Sequence, residues 1–250
     1  MKRVALAFAL AVGAGSEVLA ADLPVPSPLY APPVPYSWTG FYIGGNLGGG
    51  LSTSSFSDPL GNVFAESNGG GTFLGGGQVG INYQFWGGVV IGAEADFDWL
   101  PNTNTAVSTL ANPPGMITGS TATLTINNRW LTSVTGRVGY AFDRVLFYGK
   151  GGGAWVGSNN PTVAVDGAPV TIATSNGNRG WTGGLGVEWA FWGNWSARFE
   201  YDFVGLNSQA FTIPASVGGL PAGDQFGAGN RNIQIGNVGL NYKFGGVGGW

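Results

Sequence analysis

Two stretches of the chain set carboxylates two residues apart. Glu94, Asp96 and Asp98 alternate through 89–99, and Glu200 and Asp202 through 195–204. Such pairs can act as general acid and base without a histidine. The chain has no His and no Cys, which removes the commonest general base, the commonest metal ligand and any thiolate or disulfide chemistry. Carboxylates alone would have to carry catalysis, and their placement has a simpler explanation. Arg198 precedes Glu200 on the same row, and Glu188, Arg137, Lys150 and Lys243 stand in stretches of the same design. No catalytic residue, cofactor or metal ligand is expected, and no basic patch recommends nucleic acid as a partner.

The design is alternation with period two. In 89–99, Val89, Ile91, Ala93, Ala95, Phe97 and Trp99 fall on one face, and Val90, Gly92, Glu94, Asp96 and Asp98 on the other. In 195–204, Trp195, Ala197, Phe199, Tyr201 and Phe203 alternate with Ser196, Arg198, Glu200, Asp202 and Val204. Eight such segments are read: 39–53, 72–85, 89–100, 124–142, 145–157, 179–191, 195–206 and 232–244. When each apolar row is set by its aliphatic and aromatic residues alone, ten charges all fall on the opposite row: Glu94, Asp96, Asp98, Arg137, Lys150, Glu188, Arg198, Glu200, Asp202 and Lys243. Chance would do so roughly once in a thousand for a two-sided element. A charge turned to a bilayer midplane costs ~2–4 kcal/mol for Arg or Lys, which accounts for the exclusion. The eighth segment is irregular: Ile233 and Ile235 are out of phase with Val238, Leu240, Tyr242 and Phe244, and a bulge near Gly236 is expected to restore register.

Composition agrees. Only 9% of residues are charged, too few to clothe a soluble domain, and beyond the N-terminus no run of about 18 apolar residues offers a spanning helix. Links after the second, fourth and sixth segments are short (86–88, 143–144, 192–194). Those after the others are long (54–71, 101–123, 158–178, 207–231), and Asp166-Gly167 in the third can turn a hairpin that extends strands five and six. Aromatics gather at segment ends: Phe73, Trp99, Trp130, Trp155, Trp181 and Phe203 toward the long links, and Phe85, Trp86, Phe142, Phe147, Phe191, Trp192, Trp195 and Phe244 toward the short ones. The two girdles stand ~25 Å apart. The fold class expected is all-β: an eight-stranded antiparallel up-and-down transmembrane β-barrel. Glycine runs at 48–50, 75–77 and 151–153 are placed within strands, making room for side chains from across the lumen.

Residues 1–20 have a signal-peptide pattern: Lys2 and Arg3, then an apolar run from Val4 to Val12, with cleavage after Ala20 or Ala21. Residues 21–37 hold six prolines and read as a mobile periplasmic segment. The barrel takes 38–250. An eight-stranded lumen is about wide enough for side chains to fill. The inward charges are therefore expected to interlock as a plug, with Arg129 a further member near the outer mouth; the rival is a charged, water-filled ion path. A soluble lectin-like sandwich is the remaining all-β alternative, distinguished by extraction without detergent.

Three segments resemble the small alphaproteobacterial outer-membrane proteins of the RopB type, within the OmpA-like barrel superfamily: WTGFYIGGNLG at 38–48, YGKGGGAW at 148–155 and VGLNYKF at 238–244. The resemblance implies an outer-membrane barrel in contact with lipid and lipopolysaccharide, with an envelope-integrity or surface role. It also implies assembly by the outer-membrane insertion machinery, which reads Val238, Leu240, Tyr242 and Phe244 as the closing-strand signal. Such chains usually stop at that aromatic, whereas this one continues to Trp250, so either Phe244 or Trp250 ends the signal.

Overall fold

A sheet survives in lipid only if it closes on itself and leaves no unpaired edge. The computed structural model describes residues 35–57, 63–68, 71–111, 121–158, 162–165, 168–170, 173–174, 178–212 and 225–245, and in it the sheet closes. Eight long strands follow in chain order: β1 (Gly40–Ser57), β2 (Thr72–Gln84), β3 (Val89–Ala111), β4 (Thr121–Phe142), β5 (Val145–Ser158), β6 (Arg179–Trp192), β7 (Trp195–Leu206) and β8 (Gln225–Phe244). Each pairs antiparallel with the next, and β1 pairs with β8, Phe41 opposite Phe244 and Ile43 opposite Tyr242. The all-β, eight-stranded antiparallel barrel expected from the alternation is the fold.

The two ends differ in kind. At one, a 3-10 turn at Trp86–Gly88 joins β2 to β3, and two-residue turns at Asp143-Arg144 and Gly193-Asn194 join the next pairs. Asp143 and Gly193 take φ of 50° and 51°, the left-handed backbone that a tight hairpin requires. At the other end the strands run on past the aromatic girdle. β3 and β4 stay paired to Ala111 and Thr121, with register shifts beyond Trp99. Most of the link expected at 101–123 is therefore a ribbon: outside lipid nothing forces alternation, so its strands carry no periodic signal. The predicted hairpin around 166–167 exists, Val163 opposite Val170. It does not extend β5 and β6, however. Thr162–Val165 pairs with β4 at Ala122–Thr125.

Side chains sort by row. Ile43, Leu47, Val79, Val138, Leu185, Phe199 and Val238 are exposed on the outer face, while Glu94, Arg137, Lys150, Glu188, Arg198 and Glu200 are buried. Arg129 departs from its expected place: it is exposed, at the register shift between Asn128 and Trp130. The lower girdle is deeper than its end residues indicate, since Tyr83, Tyr140, Trp189 and Tyr242 pack on Phe85, Phe142, Phe191 and Phe244.

The eighth strand needs no bulge. Its pairing with β1 and β7 runs without a shift from Asn232 to Tyr242, and Ile233 and Ile235 point inward, only 4% and 3% exposed. A bulge near Gly236 would be needed only in a lumen that takes none but polar groups, and this lumen takes both isoleucines. The glycines also serve differently. The room the runs leave is for the adjacent strand: a Cβ on Gly48 would lie 2.8 Å from the Asn237 Cβ and one on Gly76 2.4 Å from Asp98 Oδ1; outside the runs, a Cβ on Gly80 would lie 2.3 Å from the Tyr42 hydroxyl, and one on Gly186 2.5 Å from that of Tyr148. Both tyrosines are thereby laid flat along the wall.

Because Val138 stands mid-strand on the outward row, Val138→Arg is expected to cost about 2–4 kcal/mol in urea unfolding from lipid vesicles, whereas Val138→Leu leaves the midpoint near that of the parent. Equal effects of the two would refute the lipid assignment of this row.

Candidate functional site

The inward rows of β3, β4, β5, β6 and β7 bring their charges to one level. Glu94 lies at the centre. Its Oε2 is 2.9 Å from Arg198 Nη1 and 3.4 Å from Arg137 Nη1, and its Oε1 is 3.3 Å from Lys150 Nζ. The Tyr42 hydroxyl donates to Glu94 Oε2 at 2.5 Å. Lys150 also reaches Glu200 at 2.6 Å, Asp96 at 3.5 Å and Asp202 at 3.6 Å. Arg198 spans to Asp96 at 3.3 Å. Arg137 turns its other nitrogen to Glu188 at 3.1 Å, its guanidinium over the rings of Tyr42 and Tyr148. Glu188 accepts further bonds from Ser196 Oγ at 2.5 Å and Asn241 Nδ2 at 2.8 Å, and Tyr148 donates to Glu200 at 2.7 Å. Arg137, Lys150 and Arg198 each meet at least two acids, as burial in a low dielectric demands.

Asp98 and Lys243 stand apart from this lattice. Asp98 is buried on the same row but has no ion pair among the described residues. Lys243, expected with the lumen acids, lies instead at the short-turn mouth. Its Nζ donates to the Ser37 carbonyl and sits 4.2 Å from the Tyr36 ring centroid. Position along the strand decides this, for Lys243 is the last inward residue of β8.

Its partners belong to the segment expected to be mobile. Residues 1–34, with the whole expected signal peptide, lie outside the described residues, as does Trp250, but Tyr36 and Ser37 are docked. Tyr36 N–H donates to Asp143 Oδ1 at 3.0 Å, Trp38 N–H to Gln84 Oε1 at 2.8 Å, and the Trp38 indole N–H to the Asp143 carbonyl at 3.0 Å. Trp38 is 2% exposed and packs edge-on against Tyr36. Burial pushes the Tyr36 phenol up to about 12, so it stays neutral. Proline content hid this contact, because it marks extended backbone without showing where the following aromatics go.

The lumen is thus layered. At the short-turn mouth Trp38, Val90, Ala141, Leu146, Tyr148 and Ala190 form an apolar floor. The charged lattice lies above it. A second apolar cluster lies toward the long-link end, built of Leu74, Leu100, Leu131, Val156, Val204, Leu206, Ile233, Ile235 and Ala154, with Thr72, Ser52 and Arg231 buried at the same level. Sequence reasoning missed both apolar tiers, although Val90 and Val204 already stood on the charged rows.

Comparison with known proteins places this architecture. Residues 6–244 match the family model "Outer membrane protein beta-barrel domain". The 31 kDa outer-membrane immunogenic proteins of Brucella melitensis and Brucella suis are each 34% identical over 258 residues, covering 98% of this chain and 100% of theirs. Among solved structures, the outer membrane protein OprG from Pseudomonas aeruginosa aligns with a TM-score of 0.51 at 9% identity, over 84% of this chain and 99% of its own. The similarity to alphaproteobacterial barrels carried by the three short motifs therefore extends over nearly the full length. The chain belongs to the outer-membrane β-barrel protein family, and its place is the outer membrane of the cell.

Proposed function

We propose that the protein is a closed, non-conducting barrel that anchors the structures at its long-loop end in the membrane and contributes to envelope integrity and surface contacts. One observation carries this reading: the charged lattice lies between two apolar tiers. An ion would have to shed its hydration to pass either tier, where the inward side chains are mostly apolar. On this reading the short turns and the Tyr36–Trp38 contact are periplasmic, and the extended β3–β4 ribbon stands outside the cell beside lipopolysaccharide. The Brucella relatives are named immunogenic, which fits such a surface. The outward row Val238, Leu240, Tyr242 and Phe244 supplies the assembly signal to the insertion machinery. On this reading no catalytic role is assigned: the chain lacks His and Cys, and the paired carboxylates Glu94, Asp96, Glu200 and Asp202 are held by Lys150 and Arg198.

Purified protein in planar bilayers is expected to give no stable single-channel steps; regular steps would establish the narrow-porin reading instead. If the lattice is structural, Arg198→Met strands Glu94 and Asp96 without a main partner and is expected to cost about 3–5 kcal/mol in urea unfolding from lipid vesicles. An unchanged midpoint would remove the lattice from the account of stability.

A further inference from the structure

Charge on the outside of the barrel is uneven along its length. Among the described side chains, Asp143 at the short-turn end is the one exposed acid, whereas Arg129 and Arg179 are both exposed at the long-link end. Each arginine stands beside tryptophans of the girdle. On β4 the register shift between Asn128 and Trp130 sets two residues, Arg129 and Trp130, against Gly157 of β5; a bulge of this kind re-aims a side chain. On β6 Arg179 occupies the outward row, opposite Trp155 of β5 and two residues above Trp181. Arg179 makes no ion pair among the described residues. Two strand spacings, ~10 Å, separate the arginines across the sheet, with the strand of Trp155 between them.

Below this cationic rim the same three strands lose their outward side chains. Gly136 pairs with Gly151 and Gly151 with Gly183, and Ala93 of β3 continues the rank beside Gly136. Packing within the barrel does not ask for these glycines. A Cβ on Gly136 would meet nothing within 4 Å, and one on Gly151 or Gly183 would come no closer than 3.6 Å to a neighbour. Glycine weakens a strand and marks places where another group approaches the backbone closely. The rank is four strands wide, ~15 Å, and lies between the girdles, where the approaching group is hydrocarbon.

We propose that the rim is a binding site for lipopolysaccharide, its anionic phosphoryl groups taken by the guanidinium groups of Arg129 and Arg179 and its acyl chains laid on the glycine rank beneath. Arginine matches a phosphate with two parallel hydrogen bonds, and no acid among the described side chains competes for the pair. The match favours this lipid over an ordinary phospholipid, which brings a single phosphate and fewer chains to a site with two cations and a broad floor. The inference rests on the reading that the long loops face outside, since lipopolysaccharide occupies the outer leaflet.

The test uses the full chain folded in neutral detergent and titrated separately with purified lipopolysaccharide and phosphatidylglycerol. Lipopolysaccharide is expected to bind at least tenfold more tightly, with an affinity that falls as salt is added. Arg129→Gln with Arg179→Gln weakens it by tenfold or more, the loss of charge-assisted bonds, while Arg144→Gln at the other end leaves it unchanged. Gly136→Leu, which removes room and no charge, weakens binding several-fold and keeps the salt dependence. Equal affinity for the two lipids overturns the proposal, as does undiminished binding in the double arginine variant or in Gly136→Leu. The orientation is checked apart from it: the chain has no cysteine, so Ala168→Cys is expected to react with an impermeant maleimide on intact cells. No labelling overturns both readings; labelling without a preference for lipopolysaccharide overturns this one alone.

Discussion

Hydrocarbon accepts no ionised group without a cost of several kcal/mol, and nearly everything in this barrel follows from that refusal. Closing the sheet gives the charges an inside to turn to, but the inside of an eight-stranded barrel holds little water. Turning inward only exchanges one low-dielectric surrounding for another unless each charge finds an opposite one. The lattice around Glu94, Lys150 and Arg198 is the answer, and it in turn fixes which strands must face one another.

The glycines are part of the same solution. Tyr42 and Tyr148 reach Glu94 and Glu200 because Gly80 and Gly186 let their rings lie against the wall. With side chains there, the rings would stand into the lumen and crowd the guanidinium of Arg137. A composition that looks like low complexity is, within the strands, a set of clearances cut for named neighbours.

What was legible in the sequence is what lipid enforces. Strand existence and the phase of the outward row could be read because one wrong residue there is expensive. The inner row obeys a looser rule: anything that packs is allowed, so Leu100 follows Glu94, Asp96 and Asp98 on β3, Leu131 shares its row with Arg137 on β4, and Ile233 and Ile235 share theirs with Asn237 and Lys243 on β8. Reading that row as uniformly polar produced the unneeded bulge near Gly236. Beyond the girdle neither rule applies, and the ribbon from β3 to β4 left no periodic trace. Nor could spacing show which acid meets which base, since Glu94 and Arg198 are distant in the chain and meet only across the closed lumen.

The docked segment before β1 has a bearing on how the molecule is made. Ser37 and Lys243 are 206 residues apart in the chain, so their contact closes almost the largest loop available. Its entropic cost falls due only when β8 has arrived beside β1. A chain halted before its last strand leaves the Ser37 carbonyl without this ammonium and Tyr36 without one of its two cations. The aromatic pair Tyr36 and Trp38 thus works as a completion clasp, fastened by the final inward residue of the protein's last strand.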